Sequence, residues 1–192
     1  MENLATLGAR RSEGQPDEEE LLAVRARTEP DAFGLLYEAH AVTVYRYLRA
    51  RGADEDLAEE LTAISFERAL RAIGHFRPGR GGFRPWLLAI ARNAWVDGYR
   101  RRIPVADLAA VPDIASPSPS PEAAAVAAEE RALVRRLLSE LPDVARDALA
   151  LRYAGGLPSR DIAQVIGKSE DATKKLLSRS LASLREAARH DR

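Results

Sequence analysis

Between residues 74 and 102 the chain sets rings, guanidinium groups and bare backbone side by side. Gly74-His75-Phe76-Arg77-Pro78-Gly79-Arg80-Gly81-Gly82 leads into Phe83-Arg84-Pro85-Trp86. Unpaired bases stack on rings while Arg holds their phosphates, so this composition suits a single-stranded nucleic acid. On a helix opened by Phe83, the residues Arg92, Asn93, Asp97 and Arg100 share a side, and Arg101 extends its basic end. Phe83, Leu87, Ile90 and Ala94 form the opposite, apolar stripe. The competing structural reading makes Trp86 and Trp95 core residues and the arginines a solvated face. It suits Trp86, but it fits the arginines poorly, because Asp97 is the only acid between residues 77 and 102.

A second constellation lies near the C-terminus. A short helix from Pro158 to Ile166, a tight turn at Gly167-Lys168-Ser169 and a longer helix to about Arg189 read as a helix-turn-helix. Ile162, Ala163, Val165 and Ile166 are expected to pack on Leu177, Leu181 and Leu184. The opposite face then presents Lys174, Lys175, Ser178 and Arg179 to a major groove, with Arg160 and Ser169 completing the candidate set. Two helices joined by a glycine turn are also an ordinary packing unit, so this motif leaves DNA binding and plain packing both open.

Enzyme chemistry finds little footing. There is no cysteine, which removes a thiolate zinc site and a cysteine nucleophile. His40, His75 and His190 lack metal-ligand spacing, so neither metal nor cofactor is expected. The acids at 17–20 and 54–60 sit on helices too polar to raise a carboxyl pKa by burial. Gly79-Arg80-Gly81-Gly82 lacks the Lys-Ser/Thr of a phosphate loop. No apolar stretch approaches the roughly 18 residues of a membrane span. Met1-Glu2-Asn3 opens no secretory signal, so a cytoplasmic protein without membrane insertion is expected.

The 29 basic and 29 acidic residues cancel, but unevenly. Residues 1–60 carry 7 basic and 14 acidic side chains, whereas 61–112 carry 9 arginines against Glu67, Asp97 and Asp107. An acidic front suits a basic partner and an Arg-rich middle suits a polyanion.

The elements that must hold these groups are all helical, since no segment alternates with a period of two. Residues 1–16 read as a disordered tail. Helices follow from Asp17, from Pro30 to Gly52, from Asp54 to Ile73 and from Arg84 to Arg102. Apolar positions in the third are Leu57, Leu61, Ile64, Phe66, Leu70 and Ile73. Five prolines between 104 and 121, with three alternating serines, mark a flexible Pro/Ser/Ala-rich linker. Beyond it, 122–192 is helical again. The expected architecture is all-α: two small helical domains, 17–103 and 122–192, joined by the linker 104–121, the second being the helix-turn-helix.

Asp31-Ala32-Phe33…Leu36-Tyr37, Leu61-Thr62…Phe66…Ala69-Leu70 and Phe83-Arg84-Pro85-Trp86-Leu87…Ile90-Ala91-Arg92-Asn93…Asp97…Arg100-Arg101 resemble region 2 of bacterial extracytoplasmic-function (ECF) sigma factors. Leu138-Ser139-Glu140-Leu141-Pro142…Leu149…Leu151-Arg152-Tyr153…Gly156-Leu157…Ile162-Ala163…Ile166-Gly167-Lys168-Ser169-Glu170 resembles their region 4, in the same order. The resemblance implies an RNA polymerase sigma factor that selects promoters. The first domain would melt and read the −10 element, holding the non-template strand with Phe76, Arg77, Arg80, Arg84, Arg92, Asn93, Asp97, Arg100 and Arg101. The second would read the −35 duplex through Arg160, Ser169, Lys174, Lys175, Ser178 and Arg179. Asp56, Glu59, Glu60, Leu61 and Thr62 would meet core RNA polymerase, whose largest-subunit clamp and flap are the implied partners, together with promoter DNA. A separate anti-sigma factor is the implied restraint.

Two departures stand out. Where the family usually carries Thr-Gln-Glu/Asp, this chain has Thr62-Ala63-Ile64, which leaves open a sigma-like adaptor or decoy that binds polymerase without initiating. In the recognition helix, Thr173 replaces a core Val, and Leu176 stands where a DNA-contacting Arg is common. An exposed Leu176 would suit a protein contact as well.

Overall fold

Capping carboxylates start the first helices where the sequence places them. In the computed structural model, which describes residues 17–79, 81–101, 133–134 and 136–190, every regular element is helical. The expected tail 1–16 and linker 104–121 lie outside the described residues. Asp17 caps α1 (Glu18–Arg25) by accepting the Glu20 N–H at 2.8 Å. Pro30 opens α2 (Pro30–Ala50) at a position where its missing donor costs nothing. Asp54 caps α3 (Glu55–Ala72) through the Leu57 N–H at 2.8 Å, with Glu55 and Asp56 at the positive end of the helix dipole. A 3-10 turn, Ile73–His75, leads through the glycine loop into α4 (Phe83–Arg101).

Leu36, Val44, Tyr47 and Leu48 of α2, Phe66 of α3, and Phe83, Leu87 and Leu88 of α4 fill the space between these helices. Gly98 lets α4 lie close on α3, since a side chain there would meet Leu61 Cδ2 at 3.2 Å. Leu70, expected among the apolar positions of α3, is instead 51% exposed. Phe66, Ala69 and Ile73 already hold the buried stripe, and Leu70 falls beside it.

The second block comprises α5 (Asp143–Tyr153), α6 (Ser159–Ile166) and α7 (Glu170–His190). Gly167, at φ 68°, ends α6 in the left-handed conformation that a glycine turn supplies. Ile162, Ala163, Val165 and Ile166 share a core with Leu177, Leu181 and Leu184, the packing expected from their spacing. Thr173 fills its core position without exposure, its hydroxyl satisfied by the Ser169 carbonyl at 3.0 Å.

The two blocks do not stand apart. One buried cluster runs from Leu36 and Leu88 into Leu151, Leu157 and Ile162. Gly155, just past α5, makes the approach possible, because a Cβ there would lie 2.9 Å from Leu88 Cδ1. Replacing the cap in Asp54→Ala should cost about 0.5–2 kcal/mol of unfolding free energy with an unchanged denaturant slope, measured by urea titration.

Candidate nucleic-acid interface

Helix α1 grips the glycine-rich loop. Glu20, only 4% exposed, accepts the Gly79 N–H at 3.0 Å, and Glu19 accepts the Arg84 N–H at 3.1 Å. Arg27, in the turn after α1, donates to the Phe76 carbonyl at 2.6 Å. Glu19 Oε1 also lies 3.1 Å from Nε2 of the buried His40. Burial pushes the Glu19 carboxyl up, but His40 and the Arg84 charge outweigh it and hold the group below 4.5, its ordinary value. Gly79, Gly81 and Gly82 have φ of 79°, 112° and 88°, a backbone course that side-chain-bearing residues rarely take.

The candidate strand-binding residues divide. Phe76 and Phe83 are buried and meet edge to face at 5.8 Å, with Trp86 packed 5.5 Å from each. Phe76 thus anchors the loop from inside and presents no free ring to a base. Arg77 is exposed and donates to the Gly74 carbonyl at 3.1 Å. Arg84 is half-buried and Asn93 exposed. Asp97 pairs with Arg68 at 2.8 Å. Arg80 and the side chains of Arg100 and Arg101 lie outside the described residues.

Arg92 has a partner that its own helix does not supply. Its Nε donates to Asp147 Oδ2 at 2.7 Å, and Asp147 belongs to α5. The other carboxylate oxygen accepts the Tyr47 hydroxyl at 3.0 Å and lies 2.7 Å from Arg51 Nε. Asp147, Tyr47 and Arg51 are all buried. Burial, then the Asp147 charge, raises the Tyr47 pKa well above 10.0. For Arg51, burial lowers the pKa, but the charge of Asp147 and the hydrogen bond to Asp143 at 2.7 Å help to more than offset it. The Arg51 guanidinium also stands 5.4 Å from the Trp95 ring centre.

On the helix-turn-helix, Ser169 caps α7 through the Ala172 N–H at 3.2 Å. Arg160, Ser169, Lys174, Lys175, Ser178 and Arg179 are all exposed. Lys174 is tied to Glu170 at 2.7 Å. Leu176 is half-buried against the core, so the free apolar contact expected of it is not offered. On α3, Asp56, Glu59 and Glu60 are exposed, whereas Leu61 packs inward and the buried Thr62 hydroxyl donates to the Ala58 carbonyl at 2.6 Å.

The sigma-70 region 2 profile matches residues 36–103 and the sigma-70 region 4 profile matches residues 131–184. The RNA polymerase sigma factor CarQ of Myxococcus xanthus is 33% identical over 81% of this chain and 88% of its own length. The ECF RNA polymerase sigma factor BldN of Streptomyces coelicolor is 35% identical over 81% of this chain. The chain belongs to the ECF sigma factors of the sigma-70 family. It spans 60% of the length of BldN. Among solved structures, CnrH in complex with the cytosolic domain of CnrY is similar at a TM-score of 0.72 and 26% identity, over 92% of this chain and 100% of that one.

Sequence reasoning about this sigma factor missed Asp147, Tyr47 and Arg51. The available signal was an acid set among Ala145, Ala148, Leu149 and Leu151, on a face that has to be buried. It also read the acids of α1 only as part of a solvated acidic front, although Glu20 is buried and bonds the glycine loop, and α1 precedes the region 2 match altogether. Glu20→Ala should speed hydrogen exchange at the Gly79 amide, and Glu20→Gln, which keeps an acceptor, should restore protection. Because the folded pKa of Glu19 lies below 4.5, its contribution is full above that pH. As pH falls through the folded value the contribution is lost, so acid should release the Arg84 amide as well.

Proposed function

We propose that this sigma factor binds core RNA polymerase and directs initiation at specific promoters, the first block opening the −10 element and the second reading the −35 duplex. The observation that carries the reading is the exposed face of α7, with Lys174, Lys175, Ser178 and Arg179 aligned beyond a helix-turn-helix core. Lys and Arg there hold phosphates while residues nearer the helix N-terminus reach base edges. Arg77, Arg84 and Asn93 beside the shaped glycine loop suit an unstacked strand. The exposed acids Asp56, Glu59 and Glu60 suit a basic patch on the polymerase clamp, and the flap is the expected contact of the second block.

The protein acts by binding and is not an enzyme in its own right, and its work with polymerase makes it cytoplasmic. Among the described residues no helix is long and apolar enough to cross a membrane. The likeness to CnrH, solved in complex with the cytosolic domain of CnrY, supports a separate protein partner for this chain, and an anti-sigma factor is the partner we propose.

The test is run-off transcription on genomic promoter fragments with purified core polymerase. Start sites that appear only when the protein is added support the reading. Core binding without transcripts across a broad library would favour a decoy, and Ala63, exposed where the family carries a polar residue, would be the first place to look. Lys174→Ala with Lys175→Ala should weaken −35 duplex binding and flatten its log-log salt dependence by about one unit per lost phosphate contact. Charge reversal at Asp56 and Glu59 should weaken core polymerase binding and leave −35 binding unchanged, both measured by fluorescence anisotropy.

A further inference from the structure

The glycine-rich loop is held at its start, its middle and its end by residues that all precede the region 2 match. Arg27 donates to the Phe76 carbonyl at 2.6 Å, where the loop begins. Glu20 accepts the Gly79 N–H at 3.0 Å, and Glu19 accepts the Arg84 N–H at 3.1 Å, where α4 takes over. The holding unit is itself firmly seated. Ala23 and Ala26 are buried, and Glu19 Oε1 lies 3.1 Å from Nε2 of His40 on α2. The His40 ring in turn stands 5.5 Å from that of Phe83.

Two carboxylates are a poor choice for a surface whose only task is to attract nucleic acid. They carry the same charge as the strand, so the arginines of this loop would draw phosphates better without them. What the acids supply is geometry. Gly79, Gly81 and Gly82 take positive φ, and an unheld backbone with so many glycines samples many other courses. A loop free to adapt accepts every base about equally well. A loop held in one shape leaves a wrong base with unmatched contacts, which is where discrimination comes from.

We propose that Glu19, Glu20 and Arg27 are positioning residues for promoter reading: by templating the loop along its length, α1 and the turn after it set how sharply the −10 sequence is discriminated. The inference rests on the −10 reading given above.

Because the carboxylates act through shape and not through charge, their role separates from a general effect on DNA binding. Glu20→Gln drops the negative charge but keeps an acceptor, so it should hold any strand at least as well as the unaltered protein and keep its sequence preference. Glu20→Ala drops the same charge and frees the loop, so it should hold strands of any sequence and distinguish them poorly. Arg27→Ala, at an exposed position, releases the Phe76 end.

The test uses the full chain, assembled with core polymerase, to capture strands from a fully randomised single-stranded DNA library. Sequencing gives the contrast, the enrichment of the best motif over the library mean. The unaltered protein should enrich one motif. Glu20→Ala and Arg27→Ala should each lower the contrast about tenfold, the effect of one charge-assisted hydrogen bond on the matched strand. Glu20→Gln should restore it. Core binding and −35 duplex affinity, read by fluorescence anisotropy, should stay unchanged in all three. Contrast that survives both alanine substitutions overturns the inference, and Arg27→Ala keeps the test decisive if Glu20→Ala does not fold. A loss shared by Glu20→Gln would put the effect in the charge, and a loss matched by equal loss of core and −35 binding would make α1 a folding element only; either result also overturns it. Failure of the −10 reading shows differently and takes the inference with it: the unaltered holoenzyme would enrich no motif although it starts transcription at defined sites.

Discussion

Asp147 is a carboxylate with no access to water, and such a group is tolerable only where donors meet it from several directions. Here α5 supplies none of them. Tyr47 comes from α2, Arg51 from the residue that closes α2, and Arg92 from α4. The requirement therefore ties two sequence-distant blocks together more strictly than apolar contact would, since leucines slide while two hydrogen bonds and an ion pair converging on one carboxylate do not. Asp143 extends the same node outward, accepting from both Arg51 and Arg146 at 2.7 and 3.1 Å. The cores on either side become one because this polar junction fixes how they meet.

A second set of polar contacts works at shorter range. The loop that opens α4 is not stiff in itself, for three of its glycines lie at positive φ. What holds it is a pair of carboxylates on α1 accepting two of its backbone donors, with Phe76 and Phe83 packed beneath. Rigidity is thus imported from a neighbouring helix, and the loop keeps a bare backbone that anything approaching it can reach closely.

Much of this was legible in advance. Asp17, Pro30, Asp54, Gly167 and Ser169 are local signals, and each marks a helix boundary close to the residue named. The spacing of Ile162, Val165, Leu177 and Leu181 was enough to pair α6 with α7. What stayed hidden has one physical origin: pattern along a chain says which face is apolar and nothing about which distant polar group will be sealed beside it. Arg92 read as a nucleic-acid ligand because its partner lies 55 residues away. Phe76 read as a stacking platform because a ring in a glycine loop looks free until Phe83 and Trp86 close over it. Leu61 and Thr62 shared a helix turn with exposed acids, and only the packing of Gly98 shows which side of that turn faces inward.

The eight-residue length of α1 bears on how the molecule is made. A helix that short does not persist in water by itself, so α1 exists only once it has something to lie against. Its carboxylates bond to residues 59 and 65 positions later in the chain. During synthesis, which proceeds from the N-terminus, α1 must wait for most of the first block to emerge before it can form. A segment translated ahead of the block it leans on is thus among the last parts of that block to settle, and the glycine-rich loop takes its final shape in that same step.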